Sequence, residues 1–291
     1  MSDAHPYLVG LIGAGVTPSL TPPLHMTEAR HWGLDYVYRP IDLTALGLVP
    51  DQLPDILEWT RRLGFDALNI THPCKRLVIE YLDRVDPVAA ALGAVNTVLF
   101  TDEGMVGYNT DTTGFEKAFT TGLPDAAVQR VTILGAGGAG SAVADALLRV
   151  GVAHLSIVDV ETGRADELAG ELGSRHDATV DAHSPADLPT LLAASDGVVH
   201  CTPTGMADHP GIPVPRHLLR PDLWVADIVY RPLETELLRA ARGLGCRTLD
   251  GGRMAVYQAV DALALITDLT PDPDRMIGHF HDLVQTHDVL T

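Results

Sequence analysis

The sequence predicts an α/β protein in two parts, an N-terminal α/β domain and then a doubly wound one, on three observations. Short β-rich apolar runs alternate with segments of helical period from the start of the chain. A hairpin-like pair of runs closes that series, and a second alternating series opens on a buried run at Val131.

In order, the first series reads as strand Tyr7–Gly13, helix Pro22–Trp32, strand Tyr36–Ile41, helix Asp51–Leu63 and strand Ala67–Ile70, the material of a mostly parallel sheet. Ala94–Phe100 and Met105–Asn109 are β-like, and Thr101-Asp102-Glu103-Gly104 between them has the chemistry of a hairpin turn. The second series gives strands Val131–Leu134, Leu155–Val158, Thr179–Ala182, Gly197–Cys201, Trp224–Val229 and Arg247–Leu249, with helical stretches between most of them. A last strong helix, Met254–Ile266, follows Gly251-Gly252 and is expected to lead the chain back to the first domain. The expected division is 1–111, completed by 252–291, and 112–251, with hinges near Asp111 and Gly251.

With 46% hydrophobic and 20% charged residues over 291 positions, the chain has the material for folded cores and is not a disordered segment. A formal charge of -18, with Lys and Arg scattered, leaves no basic patch to neutralise phosphates, so nucleic acid is excluded as a partner. An anionic ligand must therefore be held by local hydroxyls, amides and a lysine. Cys74, Cys201 and Cys246 form no CxxC pair and are odd in number, which fits a reducing compartment, and the expected location is the cytoplasm. The opening residues Met1–Pro6 lack the basic-then-apolar pattern of a signal peptide, and no long apolar run reads as a membrane span.

Gly135-Ala136-Gly137-Gly138-Ala139-Gly140 fits G-x-G-x-x-G at Gly135, Gly137 and Gly140, directly after an apolar strand and opening an Ala-rich helix. There the backbone N–H groups of Gly135, Gly137, Gly138, Ala139 and Gly140 and the helix N-terminus can approach a pyrophosphate. Asp159 follows Gly140 by 19 residues at the end of the next strand, where a carboxylate accepts hydrogen bonds from ribose hydroxyls. A 2'-phosphate there meets like charge from Asp159 and Glu161, and the nearest cation is Arg164, so the expected cofactor is NAD. The alternative reading makes Asp159 a helix cap and Arg164 a solvated side chain.

Polar residues also concentrate where apolar ones would better serve a core: Ser19-Leu20-Thr21-Pro22, Asn69–Lys75, Gly93–Thr97 and Gly107–Asp111. Three of these segments lie at predicted strand ends, where open α/β sheets bind ligands. Hydroxyls of Ser19, Thr21 and Thr71 can hold a carboxylate, the Asn96 amide can bind ring hydroxyls, and Lys75 and Asp111 are the charged pair. Asp111 also reads as the cap of a helix beginning near Thr113.

These segments resemble the shikimate dehydrogenase family. The resemblance is carried by Ser-x-Thr-Pro-x-x-His at Ser19–His25, Asn-x-Thr-x-Pro-x-Lys at Asn69–Lys75, Gly-Ala-x-Asn-Thr at Gly93–Thr97 and Asn-Thr-Asp at Asn109–Asp111. Later come Cys201-Thr202-Pro203-Thr204-Gly205-Met206, Asp227-x-x-Tyr230-x-Pro232-x-x-Thr235, Gly251-Gly252-x-Met254 and Gln258. It implies a substrate domain from the first part plus the terminal helices, and a nicotinamide-binding Rossmann domain between. It further implies Lys75 and Asp111 as catalytic residues, Gln258 among the substrate ligands, and Thr202, Pro203, Met206, Val229, Gly252 and Met254 as cofactor contacts, with Tyr230 behind them.

NADP-using, shikimate-specific members usually show Ser-x-Ser in the first motif and an Asn-Arg segment after the second cofactor strand. Thr21, Asp159-Val160-Glu161 and the His72-Pro73-Cys74-Lys75 form of the lysine motif resemble the NAD-dependent quinate/shikimate branch instead. The implied reaction is reversible hydride transfer between NAD and the ring C3 hydroxyl of quinate or shikimate, giving 3-dehydroquinate or 3-dehydroshikimate. Such chemistry needs a proton acceptor or an oxyanion stabiliser at the reacting hydroxyl, and Lys75 is the candidate for either role. A biosynthetic NADP enzyme, a relative acting on aminoshikimate and a non-catalytic metabolite sensor are the alternatives. Cys74 reads as a small buried thiol and His279, His281 and His287 as a solvated terminal helix, so no metal is expected.

Overall fold

In the computed structural model, which describes residues 6–288 and side chains through 286, the apolar run Tyr7–Gly13 is β1, an interior strand of a six-stranded sheet. The segment Met1–His5 and the His287 side chain lie outside the described residues. The chain parts into two compact units, one taking the chain up to Thr110 and again from Gln258, the other Asp111–Tyr257.

In the first unit β2 (Tyr36–Asp42) and β3 (Ala67–Ile70) flank β1 in parallel. β4 (Arg84–Val85), β5 (Thr97–Thr101) and β6 (Gly104–Tyr108) complete the order β2-β1-β3-β5-β6-β4, with β5 antiparallel to β3 and β6. Helices α1 (Thr21–His31), α2 (Leu43–Leu46), α3 (Leu53–Arg62), α4 (Cys74–Leu77) and α5 (Pro87–Leu92) connect them. One core joins Leu53 and Leu57 of α3 to Ile12, Leu68, Ile70 and Val98 of the sheet.

The second unit holds α6 (Asp111–Gly122), β7 (Arg130–Leu134), α7 (Gly138–Arg149), β8 (His154–Val158), α8 (Thr162–Gly173), β9 (Thr179–His183), α9 (Leu188–Ala194), β10 (Gly197–His200), β11 (Trp224–Asp227), α10 (Glu236–Gly243) and β12 (Thr248–Leu249). Its sheet is all parallel in the order β12-β11-β10-β7-β8-β9, a doubly wound sheet as expected. Helix α11 (Gly251–Thr267) begins in this unit and ends in the first, and α12 (Pro273–Asp288) follows. Among the described residues no helix is long and apolar enough to cross a membrane.

Several predicted boundaries move, each for a local reason. The run at Ala94–Phe100 becomes a strand only from Thr97, because the Ala94 N–H closes α5 on Ala89 and the Val95 N–H bonds the Lys75 carbonyl. The run at Met105–Asn109 ends at Tyr108, since the Asn109 amide turns to the Ala94 carbonyl (2.9 Å). The helix expected at Asp51–Leu63 opens with a 3-10 turn over Pro50–Gln52. The strand expected at Trp224–Val229 stops at Asp227, whose carboxylate takes the Val229 N–H (3.1 Å). Helix α6 begins at Asp111 itself rather than near Thr113, so that carboxylate sits in the first turn, where the helix dipole favours it. Helix α11 starts at Gly251, three residues before Met254, where a Cβ would stand 2.3 Å from the Ile228 carbonyl oxygen.

Two buried polar clusters tie α1 into the first unit. The fully buried Glu28 carboxylate accepts the Arg275 guanidinium (Nε to Oε2 2.8 Å) and the Asp272 N–H (3.1 Å), so α1 and the start of α12 are clasped by charge. Burial opposes ionisation of Glu28, but these donors outweigh it and hold the acid below its ordinary pKa. His25 is also wholly buried, with Nδ1 3.2 Å from the Tyr36 hydroxyl and no hydrogen-bond partner at Nε2 among the described residues.

Burial pushes the His25 pKa down to about 3, so the folded protein keeps the ring neutral while the unfolded chain protonates it below about 6.5. His25 therefore withholds stability as pH falls through the unfolded value toward the folded one. We expect this residue to cost about 2 kcal/mol at pH 5 relative to pH 7.5. Urea unfolding of the wild type and of His25→Leu at both pH values measures it; equal pH slopes in the two proteins would refute the assignment.

Candidate functional site

Sheet register gathers the polar segments of the first unit at one end. Chains leave the C-terminal ends of parallel β1 and β3 there, and antiparallel β5 enters beside them, with Asn69 opposite Thr97. A Cβ at Gly13 would stand 2.3 Å from the Thr71 methyl carbon, so glycine is what lets the segment after β3 close on β1. The bonds Thr71 N–H to Ile12 and Ala14 N–H to the His72 carbonyl (both 2.9 Å) seal that approach.

The β1–α1 turn is held by Asp42, which sits at the end of β2 and is almost wholly buried. Its carboxylate accepts the Gly15 N–H (2.8 Å), the Thr17 N–H (2.9 Å) and the Thr17 hydroxyl (2.7 Å), and also caps α2. Burial raises such an acid, yet these donors hold its pKa at about 2. The turn then delivers half-buried Ser19, whose Oγ accepts the Thr21 N–H (3.3 Å), and half-buried Thr21 at the start of α1.

Half-buried Thr71 and Lys75 bracket the step from β3 into α4, and the Lys75 carbonyl accepts the Val95 N–H (2.9 Å). Asn96 is buried, its Oδ1 accepting the Thr110 N–H (2.9 Å) and the Thr97 hydroxyl (3.1 Å), its Nδ2 donating to the Thr110 hydroxyl (3.0 Å). Behind it, Asn69 Nδ2 donates to Thr97 Oγ1 (3.0 Å) while the Tyr38 hydroxyl donates to Asn69 Oδ1. Nothing in the sequence singles out Tyr38 and Thr97 as a pair behind the site; only strand register places them beside Asn69. Asp111 opens α6 of the second unit, and Gln258, half-buried on α11, is the first residue of the return to the first unit. Cys74 is buried and its thiol pKa is raised by that burial, which leaves it unreactive at neutral pH.

In the second unit the glycine loop joins β7 to α7. Gly135 has φ +104°, and a Cβ there would stand 2.9 Å from the Cys201 carbonyl oxygen; a Cβ at Gly140 would stand 2.0 Å from the Gly135 oxygen. Nothing lies within 4 Å of where a Cβ at Gly137 or Gly138 would project. Gly138, Ala139 and Gly140 present the N–H groups of the first turn of α7, which have no partner inside the helix, whereas the Gly135 N–H is bonded to the Val158 carbonyl (2.8 Å) and that glycine serves the turn. A pyrophosphate fits such a bare backbone cradle.

Asp159 follows β8 directly, and its Oδ2 accepts the Ala136 N–H of the loop (2.7 Å) while Oδ1 accepts the Glu161 N–H (2.9 Å). The residue before α8 is Glu161, so Asp159 is not the cap of that helix. Arg164 is exposed and paired with Glu161 (3.0 Å). Thr202, Pro203 and Met206 form the turn after β10, with the Met206 N–H on the Pro203 carbonyl (3.1 Å). Val229 is buried just beyond β11, the Gly252 N–H bonds Asp250 (3.0 Å), and Met254 is buried on α11. Under the turn lie His200 and Asp227, fully buried and 2.9 Å apart. Asp227 and Thr235 belong to a recognised motif, whereas His200 escapes sequence reasoning; an ionisable residue ending an otherwise apolar buried strand is the available signal. Among the described residues no three His, Cys, Asp or Glu side chains gather as a metal site would require.

A family model for the shikimate dehydrogenase substrate binding domain matches residues 11–98, and the ThiF family model matches residues 108–169. Shikimate dehydrogenase (NADP(+)) of Streptomyces avermitilis is 58% identical to this chain, covering 96% of it and 97% of the relative. Quinate/shikimate dehydrogenase (NAD(+)) of Corynebacterium efficiens is 45% identical, covering 95% of this chain and 98% of the relative. The solved quinate dehydrogenase from Corynebacterium glutamicum in complex with NAD is similar with a TM-score of 0.89 at 45% identity, over 95% of this chain and 99% of that one. Motifs, fold and end-to-end similarity agree that the chain belongs to the shikimate dehydrogenase family.

Proposed function

We propose that this chain is an NAD-dependent quinate/shikimate dehydrogenase, reversibly converting the ring C3 hydroxyl of either acid to the ketone of 3-dehydroquinate or 3-dehydroshikimate. The observation that carries the cofactor choice is the Asp159 carboxylate, bonded to the glycine loop with Glu161 beside it and the nearby Arg164 engaged by Glu161. A 2'-phosphate brought there meets two carboxylates, whereas a ribose diol meets an acceptor. The 58% identical relative is named for NADP and the 45% identical one for NAD. Overall identity thus points away from NAD, and the reading follows the side chain that would touch the ribose.

Residues 1–111 with 252–291 are assigned to the substrate and 112–251 to the dinucleotide. Hydroxyls of Ser19, Thr21 and Thr71 hold the carboxylate, and their number offsets the unfavourable field of an acidic protein. Asn96, fixed by Thr97 and Thr110, and Gln258 orient the ring hydroxyls. Lys75 meets the reacting oxygen, taking its proton or stabilising its developing negative charge, and Asp111 is the second residue assigned to the chemistry. Gly137, Gly138, Ala139 and Gly140 receive the pyrophosphate in the loop whose turn Gly135 makes, Asp159 the ribose, and Thr202, Pro203, Met206, Val229, Gly252 and Met254 the remainder of the dinucleotide. When bound, nicotinamide supplies the hydride acceptor. The working compartment is the cytoplasm.

Initial rates of reduced-nicotinamide formation with quinate and with shikimate, each offered NAD and NADP, test the reading. NAD-driven turnover of quinate is expected. A preference for shikimate with NADP overturns the cofactor and substrate assignment, and folded protein silent in all four assays overturns catalysis itself.

A further inference from the structure

We infer that His200 is a positioning residue for the cofactor, relaying a fixed buried carboxylate, Asp227, to the hydroxyl of Thr202. The inference rests on assigning the Thr202–Met206 turn to the dinucleotide. His200 and Asp227 are register partners at the last positions of neighbouring β10 and β11, with 0% and 2% of their surface exposed. Every other residue of these two strands is buried and apolar or glycine. A buried ionisable pair in an apolar sheet is seldom more stable than well-packed hydrophobic residues of the same volume. Stability alone therefore does not account for it, and the carboxyl ends of parallel strands are where such sheets meet ligands.

The hydrogen bonds have a direction. Asp227 Oδ1 accepts the Val229 N–H (3.1 Å) and lies 2.9 Å from His200 Nδ1, while Oδ2 accepts the Thr235 hydroxyl (2.7 Å). A carboxylate only accepts, so Nδ1 carries a proton and the ring is fixed in one orientation. Nε2 then faces Thr202 Oγ1 at 2.5 Å. The same hydroxyl accepts the Thr204 N–H (3.3 Å) and lies 3.2 Å from the Thr204 hydroxyl.

Thr235 in turn caps α10 through the Leu238 N–H (3.2 Å), and its side chain lies 3.7 Å from where a Cβ would stand on Gly205, which has φ +98°. One buried carboxylate thus fixes three stretches at once: the turn after β10 through His200, the residue Val229, and the start of α10. Without Nε2 the Thr202 hydroxyl loses its buried partner and the turn its anchor, although every backbone bond of the strands is kept.

The test measures dinucleotide affinity by quenching of protein fluorescence, with kinetics alongside. His200→Asn keeps a donor for Asp227 but does not reach Thr202, and we expect its Kd for NAD to rise about tenfold with KM for the carboxylic acid substrate at saturating NAD unchanged. Thr202→Val is expected to match it, and the double variant to be no worse than either. Unchanged affinity in His200→Asn with weakened affinity in Thr202→Val overturns the relay. Unchanged affinity in both overturns the assignment of the turn. Should His200→Asn fail to fold, the His200 ring signals in proton–nitrogen NMR decide: they are expected to shift on NAD addition in the wild type and not in Thr202→Val, and a wild-type signal indifferent to NAD overturns the relay.

Discussion

Replacing Lys75 with Ala lowers kcat for oxidation of the hydroxy acid by about 10³ while KM changes by no more than a few-fold, because the lost interaction forms only as the alkoxide develops. General acid–base assistance and oxyanion stabilisation are each worth roughly 10²–10⁴ in rate, so the size of the loss does not separate the two roles. Lys75→Arg does. Arginine keeps the charge but does not release its proton, so activity within about tenfold of wild type marks a cationic stabiliser, and a loss as deep as Ala marks a proton acceptor. The fold tolerates these changes: the side chain is half-buried, and the backbone bond from Val95 to the Lys75 carbonyl persists whatever the side chain. Steady-state rates on variants with unchanged melting curves measure the effect, and near-normal turnover in Lys75→Ala would remove this residue from the chemistry.

Asp159→Asn shifts the ratio of kcat/KM for NAD over NADP toward NADP by about thirty- to a hundredfold, because it relieves a charge repulsion without needing any new attraction. The asparagine retains one oxygen to accept the Ala136 N–H, so the glycine loop keeps its bond, while the acceptor of the Glu161 N–H is given up together with the charge. Adding Glu161→Gln moves the ratio further, because Arg164 is then released from its carboxylate partner and becomes available to a 2'-phosphate. High salt shrinks the wild-type preference, since these groups are at least partly exposed. A ratio unmoved by Asp159→Asn would show that cofactor choice is set elsewhere.

What is legible in the sequence is periodic or local. Strand and helix alternation is repeated chemistry, and it leads to both sheets; the glycine loop is six consecutive residues whose backbone demands are visible one by one, as φ at Gly135 and the close packing at Gly140 show. The short elements α2, α4, α5 and β4 escape because two to six residues hold less than two turns or pleats of pattern. The ends of runs are misjudged where a side chain captures a backbone group, as Asp227 does with Val229 and Asn109 with Ala94. The side chains behind the site are the least legible. His200 meets Asp227, Tyr38 meets Asn69 and Asp42 meets Thr17 only through strand register or a crossover, and no spacing in the chain announces such meetings.

The clasp between Glu28 and Arg275 joins residues 247 positions apart. On a translating ribosome, at about 5–20 residues per second, roughly 12–50 s separate the appearance of that carboxylate from that of its guanidinium. Throughout that interval helix α1 lacks α12, whereas by its end every strand of the continuous second unit is in hand. The order of synthesis therefore favours completion of the second unit before the first. A nascent chain stalled shortly before Arg275 carries an unpaired acid on exposed apolar helix surface, a feature by which a chaperone or protease can tell it from the finished protein.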